Sequence, residues 1–186
     1  MAVNKNNVVI EGLSGKVGKQ LVFSQRNGHT IVSKAPAKRS KIAPSQQVQM
    51  DKFAKAVRYA KSALEDADLK QSYAEAGKKY NLSAYNMAIS DFLKPAVIDA
   101  ISIDAYNGTV GSTITAKVSD NFKLTKVGVR IESSAGTTIE QGNATLKDGQ
   151  WVYAATVANG AVSGGKIEVT ATDTPGNITK KEVLLP

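Results

Sequence analysis

Apolar residues change their spacing twice along this chain. The arm opens with Val8-Val9-Ile10 and glycines at 12, 15 and 18, and two short β-like runs follow, Gln20-Leu-Val-Phe-Ser24 and His29-Thr-Ile-Val-Ser33, with Gly28 between them. These two runs flank Arg26-Asn27-Gly28. Asn-Gly readily supplies the two positive-φ residues of a tight turn, so the pattern predicts a β-hairpin. Two strands alone are marginal in water, so this hairpin must rest on the rest of the chain or on a neighbouring subunit.

After Pro44 the period lengthens. Ser45 is a good N-cap, and Met50, Phe53, Val57, Ala60 and Leu64 recur at three- and four-residue intervals, which predicts a helix over 46–64. Asp66 caps a second short helix carrying Leu69, Tyr73 and Ala76 and ending near Gly77. Ser83 caps a third, with Ala84, Ala88, Ile89 and Phe92 on one side and Pro95 beyond its end. Helices this short have a small joint core. The expectation is that they share it with the hairpin as an α+β head spanning residues 1–95.

From residue 96 the pattern turns to alternating segments punctuated by turns, as in an all-β sandwich. Seven strands are expected, near 97–103, 112–118, 124–132, 137–141, 150–156, 166–172 and 178–184. The third is the clearest: Val127, Val129 and Ile131 alternate with Lys126, Gly128, Arg130 and Glu132. Asp148-Gly149 before Trp151-Val-Tyr153 marks a hairpin turn.

Charge separates the two ends. The net charge is +8, and residues 1–49 hold eight Lys/Arg against one acid, 50–98 eight against six, and 99–186 eight against nine. A partner chosen by charge would therefore be met at the N-terminal arm. Lys34, Lys38, Arg39 and Lys41 concentrate that charge in the segment after the hairpin. This strip is read as a solvated connector, with contact to phosphates or an acidic surface as the sharper alternative.

The absence of cysteine excludes disulfides, thiolate metal sites, iron–sulfur clusters and cysteine nucleophiles. Residues 1–10 lack the apolar core of a secretory signal, and no run of about 20 apolar residues offers a membrane span. The expectation is a chain that is cytoplasmic, virion-associated or exported by a signal-independent route.

Two resemblances carry the reading further. Val169-Thr-Ala-Thr-Asp-Thr-Pro-Gly-Asn177 resembles the closing hairpin of bacterial immunoglobulin-like domains, commonly V-x-A-x-D-x-x-G-N, and Val118-Ser-Asp-Asn-Phe122 and Val127-Gly-Val-Arg-Ile131 fit the same family. The resemblance implies an immunoglobulin-like sandwich over 96–186, used as a spacer, adhesive module or decoration on bacterial surfaces and phage particles. The first half is similar to uncharacterised bacterial and phage-associated proteins that begin G-x-SGK-x-G. The matching residues are Gly12, Ser14, Gly15, Lys16 and Gly18, with Lys38 and Arg39 later, then Ser83-Ala-Tyr-Asn86 and Asp91-Phe92. That similarity implies a layout and no activity.

No motif supplies a reaction. The glycine series has neither Walker nor dinucleotide spacing, and serves turns or close chain approach. His29 is the only histidine, placed beside the hairpin turn, so neither a nucleophile–base pair nor a zinc site is expected. Glu65, Asp66 and Asp68 sit at a helix start, where acids suit the dipole. Asp173 and Asn177 could ligate calcium, but turn formation accounts for them better. Trp151 and Tyr153 are expected to pack in the core.

The expectation is therefore a non-enzymatic structural or assembly subunit, without cofactor or metal, that self-associates or docks onto other subunits through Leu21, Phe23, Ile31 and Val32. Two alternatives stand beside it: a nucleic-acid-associated protein using the basic arm, and a carbohydrate or cell-surface adhesin.

Overall fold

The computed structural model describes residues 2–5, 7–37 and 42–186. It divides into two compact units, Met1–Gln47 and Val48–Pro186. Together they hold three helices and three antiparallel sheets of four strands each.

In the first unit, β3 (Leu21–Arg26) and β4 (His29–Lys34) form the expected hairpin. Asn27 and Gly28 turn it with φ of 51° and 76°. It is not left as two strands: β1 (Ala2–Val3) pairs with β4 and β2 (Gly15–Val17) with β3, giving the order β1-β4-β3-β2. Gly15 at φ 110° and Gly18 at φ 58° permit the chain to fold β2 back onto β3.

The second unit takes nearly all of α1 (Pro44–Ala63), followed by α2 (Ala67–Tyr80) and α3 (Ala84–Leu93). Asp66 caps α2 by accepting from the amides of Asp68 and Leu69, and Ser83 caps α3 by accepting from that of Asn86. Two helix boundaries differ from expectation. The first helix begins at Pro44, since proline needs no donor there and fits a first turn. The second runs past Gly77 to Tyr80 and ends on Asn81 in the left-handed conformation. Gly77 serves close approach instead of termination: a Cβ there would lie 2.5 Å from the Leu82 carbonyl oxygen.

The helical core is Ala56, Ala60, Ala63, Tyr73, Met87, Ala88 and Ile89, with Phe122 from the β-rich part packed against it. The Phe122 ring stacks on Tyr73 at 4.2 Å between centroids. The helices thus share their core with the strands that follow them, whereas the sequence pattern pairs them with the hairpin. The expected division at 95/96 runs through the interior of the second unit.

Eight strands complete the unit: β5 (Val97–Ser102), β6 (Thr113–Ser119), β7 (Leu124–Glu132), β8 (Thr138–Asn143), β9 (Thr145–Lys147), β10 (Gln150–Ala154), β11 (Lys166–Asp173) and β12 (Ile178–Leu184). One sheet runs β5-β6-β10-β9 and the other β12-β11-β7-β8. The extra strand arises because buried Ala144 lets the chain cross from one sheet to the other, so β8 pairs with β7 and β9 with β10. Val127, Val129 and Ile131 point inward as the alternation predicts. They meet Ile167, Val169 and Ala171 of their own sheet and Ile114, Ala116 and Tyr153 of the other in one apolar core. Trp151 is partly buried against that core.

Two carboxylates pin loops onto this core. Glu140 Oε2 accepts from the Tyr153 hydroxyl, the Thr156 amide and hydroxyl, and the Val157 amide, at 2.8–3.2 Å. Asp173 closes the β11–β12 turn by accepting from the Asn177 amide at 2.6 Å and side chain at 2.8 Å. Asp173 and Asn177 thus hold one another across the turn. No group of three or more His, Cys, Asp or Glu among the described residues is placed to hold a metal ion.

Candidate assembly surface

The register of the first unit sorts the expected contact residues. Directly paired residues of an antiparallel sheet point to one face. Phe23 pairs with Val32 and Leu21 with Lys34, whereas Ile31 pairs with Ser24. Leu21, Phe23 and Val32 therefore share a face, and Ile31 belongs to the opposite one. The two-residue turn, by fixing Arg26 opposite His29, dictates this split.

Burial divides them again. Phe23 is only 9 % exposed and Leu21 is 41 % exposed, while Ile31 and Val32 are half-buried. On the Phe23 face, Thr30 is buried and its hydroxyl accepts from the Gly12 amide and the Gln25 side chain at 3.0 and 2.8 Å. Gln25 also donates to the Leu13 carbonyl. These bonds fold the glycine-rich segment over part of the sheet, so one of the expected contacts is already covered by its own chain.

What remains exposed lies at the edge and in the segment between β1 and β2. Val17 pairs with Leu21, and both are open to solvent. Val8 and Val9 are 82 % and 83 % exposed. Beyond them, every residue from Pro44 to Lys55 in α1 is exposed. Met50 and Phe53 continue the stripe that Val57, Ala60 and Leu64 bury, yet each is 50 % exposed. The first three turns of α1 thus carry an apolar stripe with no partner in the described chain. Ten of the seventeen large apolar residues exposed in the described chain fall within its first 53 positions. The helical period shows Met50 and Phe53 but not their exposure, and Val8, Val9 and Val17 carry no signal beyond being apolar.

Of the expected anion contacts, Lys34 is exposed at the end of β4; Lys38, Arg39 and Lys41 lie outside the described residues. Lys5, Lys16, Lys19, Arg26 and Lys34 form no ion pair among the described residues. The five ion pairs of the described chain all join β7, β11 and β12. The first unit thus carries uncompensated positive charge beside exposed apolar side chains.

A separate buried group joins the three helices to one another. Asp91 on α3 is wholly buried and accepts from the Tyr73 hydroxyl at 2.7 Å, and Tyr73 in turn accepts from Tyr59 at 2.8 Å. Burial pushes the Asp91 carboxyl up to about 7, and the Asp120 and Asp173 carboxylates push the same way against the Tyr73 hydrogen bond. The Tyr73 hydroxyl is likewise pushed up, first by burial. This chain of hydroxyls fastens α1 to α2 and α2 to α3.

No helix among the described residues is long and apolar enough to cross a membrane. The chain matched no family model, no curated protein and no solved structure.

Proposed function

We propose that this chain is a non-enzymatic structural subunit in which the N-terminal unit and the start of α1 dock onto a neighbouring subunit and carry an immunoglobulin-like module. The observation that supports it is the concentration of exposed apolar residues, Val8, Val9, Val17, Leu21, Met50 and Phe53, in and beside a stretch, residues 1–49, that holds eight Lys/Arg against one acid. Apolar surface of this kind is stabilised by contact, and the charges around it disfavour indiscriminate stacking.

The immunoglobulin-like reading draws on strand order. If β5, β6, β7, β8, β9, β10, β11 and β12 are lettered A, B, C, C′, D, E, F and G, the two sheets run A-B-E-D and G-F-C-C′. A module of this kind suits display on a bacterial surface, a filament or a phage-like particle.

Size-exclusion chromatography with light scattering tests the proposal on the full chain. Self-assembly, or a complex with an added subunit, that is lost in the double variant Leu21→Asp, Phe53→Asp supports it. A variant that associates as the parent does removes it. Binding to unrelated nucleic acids that collapses with added salt would instead favour the basic arm as a phosphate contact.

A further inference from the structure

The outer face of the β12-β11-β7-β8 sheet holds a groove of about 470 Å³, within the range of small-ligand sites. At its centre, on an interior strand, is Gly128. Glycine weakens a strand interior because it brings no packing and loses the most chain entropy, so it needs a reason.

Packing gives none. A Cβ on Gly128 would meet nothing nearer than the Gly142 carbonyl oxygen at 3.7 Å, and its φ is not positive. Gly142 on the adjacent strand is different: a Cβ there would strike the Tyr153 ring at 2.6 Å. One glycine is required by the core and the other is not. What Gly128 does is keep the floor of the groove open.

The rim has a defined chemistry. Thr170 and Asn143 pair with Gly128 on either side, and Gln141 pairs with Arg130. The side chains of Thr170, Asn143, Gln141 and Lys126 make no hydrogen bond among the described residues. Lys180 and Arg130 both hold Glu168, whose side chain is 9 % exposed, at 3.2 and 2.8 Å. Arg130 also pairs with Glu132 at 3.2 Å, so Lys126 is the lining cation that forms no ion pair among the described residues. No aromatic ring lines the groove, and Ile178 is its exposed apolar residue. A protein partner would need a cluster of apolar anchors, where this groove exposes a single one. Hydroxyls and carboxamides beside a lysine outside the ion-pair network suit a polyhydroxylated anion.

We propose that this groove binds an acidic saccharide unit, its carboxylate held by Lys126 and its hydroxyls by Thr170, Asn143 and Gln141 over the Gly128 floor. The site lies wholly in the second unit, so it stands or falls independently of docking through the first.

The test is an NMR titration of the full-length protein with trigalacturonic acid, with neutral maltotriose and inorganic sulfate as separate arms. The expected result is perturbation of amides in 126–130, 141–143 and 168–172 by trigalacturonate alone. Gly128→Val should weaken binding at least about tenfold while leaving the melting temperature unchanged or raised, and Lys126→Gln should weaken it with no effect on melting. Three outcomes would overturn the site: no perturbation up to about 10 mM, equal perturbation by sulfate or maltotriose, or full binding by Gly128→Val. A Gly128→Val chain that melts several degrees lower would show that the glycine is structural and remove the reason for the open floor.

Discussion

Residues 1–47 and residues 48–186 meet the same demand, to bury apolar surface, with unequal means. Among the described residues the first unit buries one large apolar side chain, Phe23, beside buried Thr30. The second buries twenty-two apolar residues in two clusters joined through the Phe122–Tyr73 contact. A unit of 47 residues is near the size at which a single core stops sufficing, and no cysteine is present to staple it. The second unit holds both apolar clusters of the described chain. The first leaves Val8, Val9, Val17 and Leu21 exposed, residues proposed above to meet a neighbour.

The contrast between the units can be probed at several points. The largest effect is expected from pH. The Asp91 carboxyl lies near 7 in the folded chain, against 3.8 when unperturbed. Its ionised form is therefore disfavoured by folding. Stability from this group is fully present below about pH 4 and is lost as pH rises through about 7. The loss is on the order of 4 kcal/mol, since each tenfold change in proton affinity is worth about 1.4 kcal/mol. Urea melts of the second unit's transition between pH 4 and 8 should show that decline, and Asp91→Asn, which keeps an acceptor for Tyr73, should flatten it. A parent chain with no decline over this range would contradict the assignment.

Truncating the core comes next. Ile167→Ala should cost about 2–5 kcal/mol in the main cooperative transition, whereas Phe23→Ala should leave that transition within about 0.5 kcal/mol of the parent. If Phe23→Ala shifts the main transition as much, the two units melt as one and the comparison fails. Smaller again, Glu140→Gln should cost about 1–3 kcal/mol, since the amide oxygen meets the Tyr153, Thr156 and Val157 donors without the carboxylate's charge and the NH2 is buried where Oε1 has no partner. That loss should appear in the same transition and leave association untouched.

Much of this fold is legible in the sequence, and the misses have physical causes. Asn27-Gly28 reveals the hairpin because its turn has a conformational requirement that few other residues meet. The same two-residue turn places Phe23 opposite Val32 and sends Ile31 to the other face, a consequence that counting apolar residues overlooks. The strands β1 and β2 are only two and three residues long, too short for any period to register. Gly77 reads as a stop because close approach to the Leu82 carbonyl leaves no mark in the local pattern. The helical pattern points to the wrong neighbour because the Tyr73–Phe122 stack joins residues distant in sequence. For the assembly surface, Leu21 and the basic charge are visible in the sequence. The free stripe at Met50 and Phe53 is not, since a periodic stripe looks the same whether its partner is within the chain or beyond it.

If the comparison holds, the first unit draws its stability from a neighbour. Amide hydrogen exchange of the full-length protein, measured across a wide range of concentration, tests this most directly. Residues 15–34 should be weakly protected in dilute solution and gain protection as the chain assembles, while residues 127–131 and 167–171 stay protected throughout. A chain that remains monomeric at high concentration, with residues 15–34 as protected in dilute solution as the core strands, would contradict it.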